Sequence, residues 1–101
     1  KYDAIILDPP SYGRGPNGEK WSLEADLDGL VADLLPLLSD EPLFVLLTSY
    51  TAGLSPSTCG YILGLALRKR FGGRVDSDEL GLPVKASGLC LPCGASARFT
   101  V

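Results

Sequence analysis

An uninterrupted apolar run, Ala4-Ile5-Ile6-Leu7, stops on Asp8-Pro9-Pro10. A run with no polar alternation is the pattern of a strand covered on both faces. A second run of this kind, Leu43-Phe44-Val45-Leu46-Leu47, follows a stretch of helical periodicity. Strands of this type alternating with helices specify a mainly parallel sheet with right-handed crossovers, so the fold class is α/β. Proline fixes its own φ and donates no backbone hydrogen bond. Two prolines after an acid therefore end the strand in a stiff turn whose carbonyls are expected to be free acceptors.

The rest of the chain fills in that frame. The first strand is expected over Tyr2 to Leu7, and residues 9–21, rich in Gly and Pro with an Asn17-Gly18 pair, read as loop. Ser22 is placed to cap a helix with Glu24 and Asp26 in its first turn. Leu23, Leu27, Leu30, Val31, Leu34 and Leu38 give that helix one apolar face, and Pro36 shortens or kinks its last turn. Glu41-Pro42 breaks the chain before the second strand, and Thr48 to Leu54 reads as loop. Ser55-Pro56 starts a second helix. Cys59, Ile62, Leu63, Ala66 and Leu67 form its inner face, Arg68-Lys69-Arg70 sits where cations suit the helix dipole, and Gly72-Gly73 ends it. Arg74 to Val84 and Ala95 to Val101 then read as two strands around a Gly/Pro/Cys-rich connection. The expected order is β-α-β-α-β-β, with one antiparallel strand at or near an edge.

With 101 residues, the chain suffices for one small domain with a core. A net charge of −3 argues against a strongly basic nucleic-acid surface on this segment alone. The longest apolar run, Leu43 to Leu47, is far too short to cross a bilayer, so no membrane partner is expected. Three cysteines make no disulfide framework, and a reduced cytoplasmic setting is expected. The sequence contains no Met and opens within a strand pattern, so a segment of a longer protein is expected.

In open α/β sheets, ligands bind beyond the carboxyl ends of strands. Asp8 stands at such an end, as do Thr48 and Ser49, and the loops after both strands are expected to line one crevice. A carboxylate, stiffly held carbonyls and the flat face of Tyr12 suit a planar substrate with an amino or ring N–H group, such as a nucleobase. The plainer alternative is a sharp turn with no ligand.

The stretch "YDAIILDPPSYGRG" resembles motif IV of class I S-adenosylmethionine-dependent methyltransferases, in its Asp-Pro-Pro-x-aromatic version. The likeness is closest to the ribosomal RNA large-subunit methyltransferase group. It extends through "LFVLLTSYTAGLSP" to "LPCGASARF", nearly the whole chain. The resemblance implies that residues 1–101 are the C-terminal half of a Rossmann-like methyltransferase catalytic domain. The missing N-terminal half would carry most of the S-adenosylmethionine site, on a glycine-rich loop and an acid absent here. It implies an RNA substrate engaged through the whole protein. Asp8, Pro9 and Pro10 would face the methyl group and the target base, with Asp8 and Pro9 also touching the cofactor. Tyr12 would contact the substrate, with Ser11, Arg14 and Ser49 as further candidates. Ser11 stands between the second proline and the aromatic, unlike in relatives that methylate exocyclic nitrogens, so the atom modified stays open. Carbon-5 cytosine methylation needs a cysteine nucleophile, and "LTSYT" offers none after the second strand.

Other features have bland readings beside the functional ones. Cys90-Leu91-Pro92-Cys93 supplies two thiols where a structural zinc site wants four ligands, and the pair reads as turn residues. Cys59 reads as a small core residue. Arg68-Lys69-Arg70 reads as a solvated helix end, and Glu24, Asp26, Asp28 and Asp33 as a polar helix face. Trp21 either anchors the long loop or sits over a substrate mouth, and Arg14 either neutralises a substrate phosphate or is simply exposed. "AIILD" also fits a Walker B strand of a nucleotide hydrolase, but the Gly-x-x-x-x-Gly-Lys-Ser/Thr loop is not in this sequence. A non-catalytic, methyltransferase-like binding module is the remaining alternative.

Overall fold

A computed structural model describes residues 1–101. Four strands form the main sheet: β1 (Ala4–Leu7), β4 (Phe44–Ser49), β5 (Arg74–Pro83) and β6 (Cys90–Thr100), in the order β1-β4-β6-β5. β1 and β4 are parallel, with Leu7 opposite Leu47. β6 runs antiparallel to both β4 and β5. Three strands therefore share one direction and β6 alone opposes them. Helix α1 (Leu23–Leu34) joins β1 to β4, and α2 (Pro56–Phe71) joins β4 to β5.

Both crossovers move the same way across the sheet, and right-handed connections then put both helices on one face. Leu23, Leu27 and Val31 of α1 and Cys59, Leu63 and Leu67 of α2 pack there on Val45, Leu47, Ala97 and Phe99. Phe99 is fully buried. Each large side chain so buried contributes about 1.5–3 kcal/mol. No helix of residues 1–101 covers the other face of β1 and β4, so within this chain the expected cover is on one side only. β4 alternates buried and half-buried residues, and Ile6 is 67% exposed.

Local chemistry sets the element ends. Ser55 caps α2, its hydroxyl accepting from the Thr58 N–H at 3.2 Å, and Pro56 follows at the first helical position. Gly72, at φ 68°, ends the helix. Ser22 precedes α1 as expected, but its side chain makes no cap bond; its own N–H donates to Asp26 Oδ2 at 2.9 Å. Pro36 cannot donate into the α-helical ladder, and the chain tightens into a 3-10 turn over Leu35–Leu37. Arg70 ties the two helix ends together, donating to the Leu35 carbonyl at 2.9 Å and lying 4.6 Å over the Phe71 ring.

Several expected boundaries move. β1 starts at Ala4, and Tyr2 makes only an isolated bridge to Leu38. β4 runs on through Thr48 and Ser49 because β6 offers Ser96 and Ala95 as partners. The loop expected over residues 9–21 contains a hairpin, β2 (Tyr12–Arg14) with β3 (Lys20–Ser22), absent from the predicted order. Cys90 and Cys93 lie within β6 rather than in a connection. Leu80 pairs with Gly94 and Gly81 with Pro92, so Cys93 is the extra residue of a β-bulge. This part of β6 pairs only with β5, leaving its other edge open, where Pro92 is tolerated. No helix is long and apolar enough to cross a membrane.

Candidate functional site

Side-chain hydrogen bonds lock the carboxyl end of β1 and the hairpin after it. Thr48 Oγ1 donates to Asp8 Oδ1 at 2.8 Å, joining the ends of the two parallel strands. The Trp21 indole N–H donates to the Pro10 carbonyl at 2.7 Å. Thr51 Oγ1 donates to Ser11 Oγ at 2.6 Å, and Arg14 Nε donates to the Tyr12 hydroxyl at 3.0 Å. The Ser11 carbonyl also accepts from the Leu23 N–H at 3.0 Å, setting the hairpin on the start of α1.

These contacts sort the expected residues. Asp8 is exposed, with Oδ1 held and Oδ2 free of hydrogen bonds. Pro9 is half-buried, and its carbonyl has no partner within the chain. The Pro10 carbonyl is occupied, which corrects the expectation that the turn leaves its carbonyls free. Trp21 is an anchor: its ring packs on the core while its N–H holds the turn. Tyr12 is 56% exposed and Arg14 is exposed beside it. Ser49 stands apart, 1% exposed, with its hydroxyl accepting from the Thr51 N–H at 3.3 Å.

A cleft of about 490 Å³ opens beyond the end of β4. The β4–α2 loop forms one side, with Tyr50, Thr51 and Ser55; Glu79, Pro92 and Cys93 of β5 and β6 form the other. The loop after β1 does not line it, contrary to expectation, but reaches its rim through the Ser11–Thr51 bond. Tyr50 rests on Gly94, where an added Cβ would stand 2.7 Å from its ring. Sequence reasoning missed Thr48 as the partner of Asp8, Thr51 as the partner of Ser11, and Glu79 and Cys93 at one cleft. Parallel strands that end level were the available signal for Thr48. No group of three His, Cys, Asp or Glu side chains is placed to hold a metal ion.

Two solved structures are similar to the chain in fold. The crystal structure of the SAM-dependent methyltransferase from Agrobacterium tumefaciens matches 98% of the chain at 30% identity and a TM-score of 0.84. The fold matches part of a Rossmann-like methyltransferase fold. SMU.776, described as a methyltransferase and solved in complex with SAH, matches 97% of the chain at 22% identity and a TM-score of 0.55, a likeness of fold alone. The chain spans 33% of the first protein and 26% of the second. No protein-family model and no curated protein sequence matches it. Within the methyltransferase fold, β1 ends in the Asp-Pro-Pro turn and β6 is the reversed strand.

Proposed function

We propose that the chain supplies the acceptor side of an S-adenosylmethionine-dependent methyltransferase site that modifies a nucleobase in RNA. The observation that carries this reading is the selective occupation of the Asp8-Pro9-Pro10 turn. Trp21 takes the Pro10 carbonyl and Thr48 takes one Asp8 oxygen, while the other oxygen and the Pro9 carbonyl stay open side by side in sequence. Two fixed acceptors next to an exposed aromatic suit a planar ring that donates N–H groups. Asp8 and Pro9 orient that ring, and the Tyr12 face stacks on it.

The cofactor supplies a methyl group on a positively charged sulfur. The residues present fit its methyl end, since an open carbonyl and carboxylate oxygen favour positive charge; from this chain only Asp8 and Pro9 would reach it. Positioning is the main task, because a displacement in line needs the acceptor held close and correctly aimed. The unpaired outer edge of β1 and the exposed Ile6 support further strands and helices of the same polypeptide packing there.

Calorimetric titration of S-adenosylhomocysteine into the full-length protein, with residues 1–101 as control, tests the reading. Binding by the full-length protein alone, with methyl transfer to RNA lost in Asp8→Ala and Tyr12→Ala, is expected. A folded full-length protein that binds no S-adenosylhomocysteine would leave a methyltransferase-like binding module instead.

A further inference from the structure

The β2–β3 hairpin carries a charge arrangement that the fold itself does not use. Arg14 and Lys20 are direct cross-strand partners in its ladder. Side chains so placed leave one face of the ribbon with Cβ atoms about 4.5–5.5 Å apart, and like charges in that relation repel. Neither residue forms an ion pair; the two salt bridges of the chain are Arg70–Asp40 and Arg74–Asp76. The neighbouring Glu19 carboxylate is turned into the hairpin turn, where Oε2 accepts from the Asn17 N–H at 2.9 Å. Arg14 donates Nε to the Tyr12 hydroxyl, which orients the guanidinium and leaves both terminal nitrogens unbonded. Tyr12 shares this face, two residues along β2, while Trp21 and Gly13 occupy the other face. In a chain of net charge −3, this is a local positive spot beside an exposed aromatic, fixed to the Asp8-Pro9-Pro10 turn through Trp21.

We infer that Arg14 and Lys20 form a clamp for one backbone phosphate of a single-stranded nucleic acid, next to the nucleotide whose base stacks on Tyr12. Two cations that repel each other in the free protein gain a shared counter-ion, and the guanidinium fork suits phosphate oxygens. The offset of about 6.4–6.8 Å between residues two apart on a strand is comparable to the step between nucleotides in an extended strand. The inference rests on the acceptor-site reading above for the neighbouring base, but the phosphate contact is testable without it.

The test is fluorescence anisotropy of the full-length protein with a short labelled single-stranded RNA of mixed sequence, and with DNA of the same sequence, over a series of salt concentrations. Each phosphate contact removed should make the slope of log K against log salt shallower by about 0.7. Arg14→Gln with Lys20→Gln is expected to lose about 0.7 from that slope, the share of one phosphate, and Arg14→Lys with Lys20→Arg to restore it. Thermal unfolding of each variant, compared with the unaltered protein, checks that the fold is kept. An unchanged slope, or no binding of either oligomer by the unaltered protein, would overturn the clamp. A slope change with either oligomer supports it, and the tighter oligomer identifies the sugar. Titrating S-adenosylhomocysteine into the same proteins separates the two ideas. A slope change without cofactor binding keeps the clamp and removes methyl transfer; cofactor binding with an unchanged slope does the reverse.

Discussion

Thr48 holds Asp8: its hydroxyl donates to Oδ1 at 2.8 Å, across the ends of two parallel strands. The Leu7 carbonyl lies 3.4 Å from the same hydroxyl, so the carboxylate is the better acceptor. Thr48→Val keeps the shape and removes the donor. Hydrogen bonds to charged groups are worth about 1.5–3 kcal/mol when shielded, and exposure of Asp8 puts this one at the low end. On the acceptor-site reading proposed above, methyl transfer by the full-length protein should fall about tenfold, the equivalent of about 1.4 kcal/mol, with S-adenosylhomocysteine affinity little changed. Thr48→Ser should restore most of it. Steady-state kinetics on the three proteins decides, and equal rates would mean that Asp8 needs no such support.

Trp21→Phe isolates the bond to Pro10. The ring still packs on the core, but the Pro10 carbonyl loses its donor. One such bond contributes about 0.5–1.5 kcal/mol, and for a domain of this size each kcal/mol shifts Tm by about 4–8 °C. Thermal unfolding followed by circular dichroism should show a drop of several degrees. An unchanged Tm would mean that the turn is held by its prolines alone.

The legible parts of this fold were those with a chemical signature in one stretch of chain. Ser55-Pro56 at one end and Gly72 at the other bracketed α2 closely, and Cys59 on its apolar face proved fully buried. The hidden parts depend on partners far away in sequence. Tyr12-Gly13-Arg14 and Lys20-Trp21-Ser22 are too short to show a period, so the hairpin that carries Arg14 and Lys20 read as loop. The Cys/Pro/Gly text of residues 90–94 looked like a connection, yet a long β5 supplies a ladder and a bulge absorbs Cys93. Apolar residues on both faces of β1 and β4 gave no hint that one face stays bare in this chain. Which of two adjacent carbonyls would be free was likewise set by Trp21, eleven residues beyond Pro10.

Gly72 and Gly73 look alike in sequence and differ in consequence. Both have positive φ, 68° and 73°. A Cβ on Gly72 meets nothing within 4 Å, whereas one on Gly73 would run into the Thr100 carbonyl and stand 2.7 Å from the Phe99 ring. Gly72→Ala should cost about 1–3 kcal/mol of backbone strain, because φ 68° with ψ −128° lies outside the left-handed helical region. Gly73→Ala should cost more, about 2–4 kcal/mol, since backbone or the buried Phe99 must also shift. Chemical denaturation of the two variants side by side should separate them. Equal losses would place β6 further from the α2–β5 link than described.

Cys59 is fully buried, and removal from water pushes its thiol above the ordinary range, partly offset by a hydrogen bond to its own backbone. Cys90 and Cys93 are exposed. Of the three thiols in residues 1–101, a disulfide reagent near neutral pH should therefore modify Cys90 and Cys93 quickly and Cys59 only on unfolding. The raised value also fixes the sign of a pH effect. The folded state keeps its proton longer than the unfolded chain, so this contribution is fully present below the ordinary thiol pKa of about 8.5. It is lost as pH rises from there through the raised folded value. Denaturation midpoints measured across that range should fall with increasing pH, and the Cys59→Ala protein should lose this component of the fall. A third thiol that reacts as fast as the other two would show that α2 opens readily from the sheet.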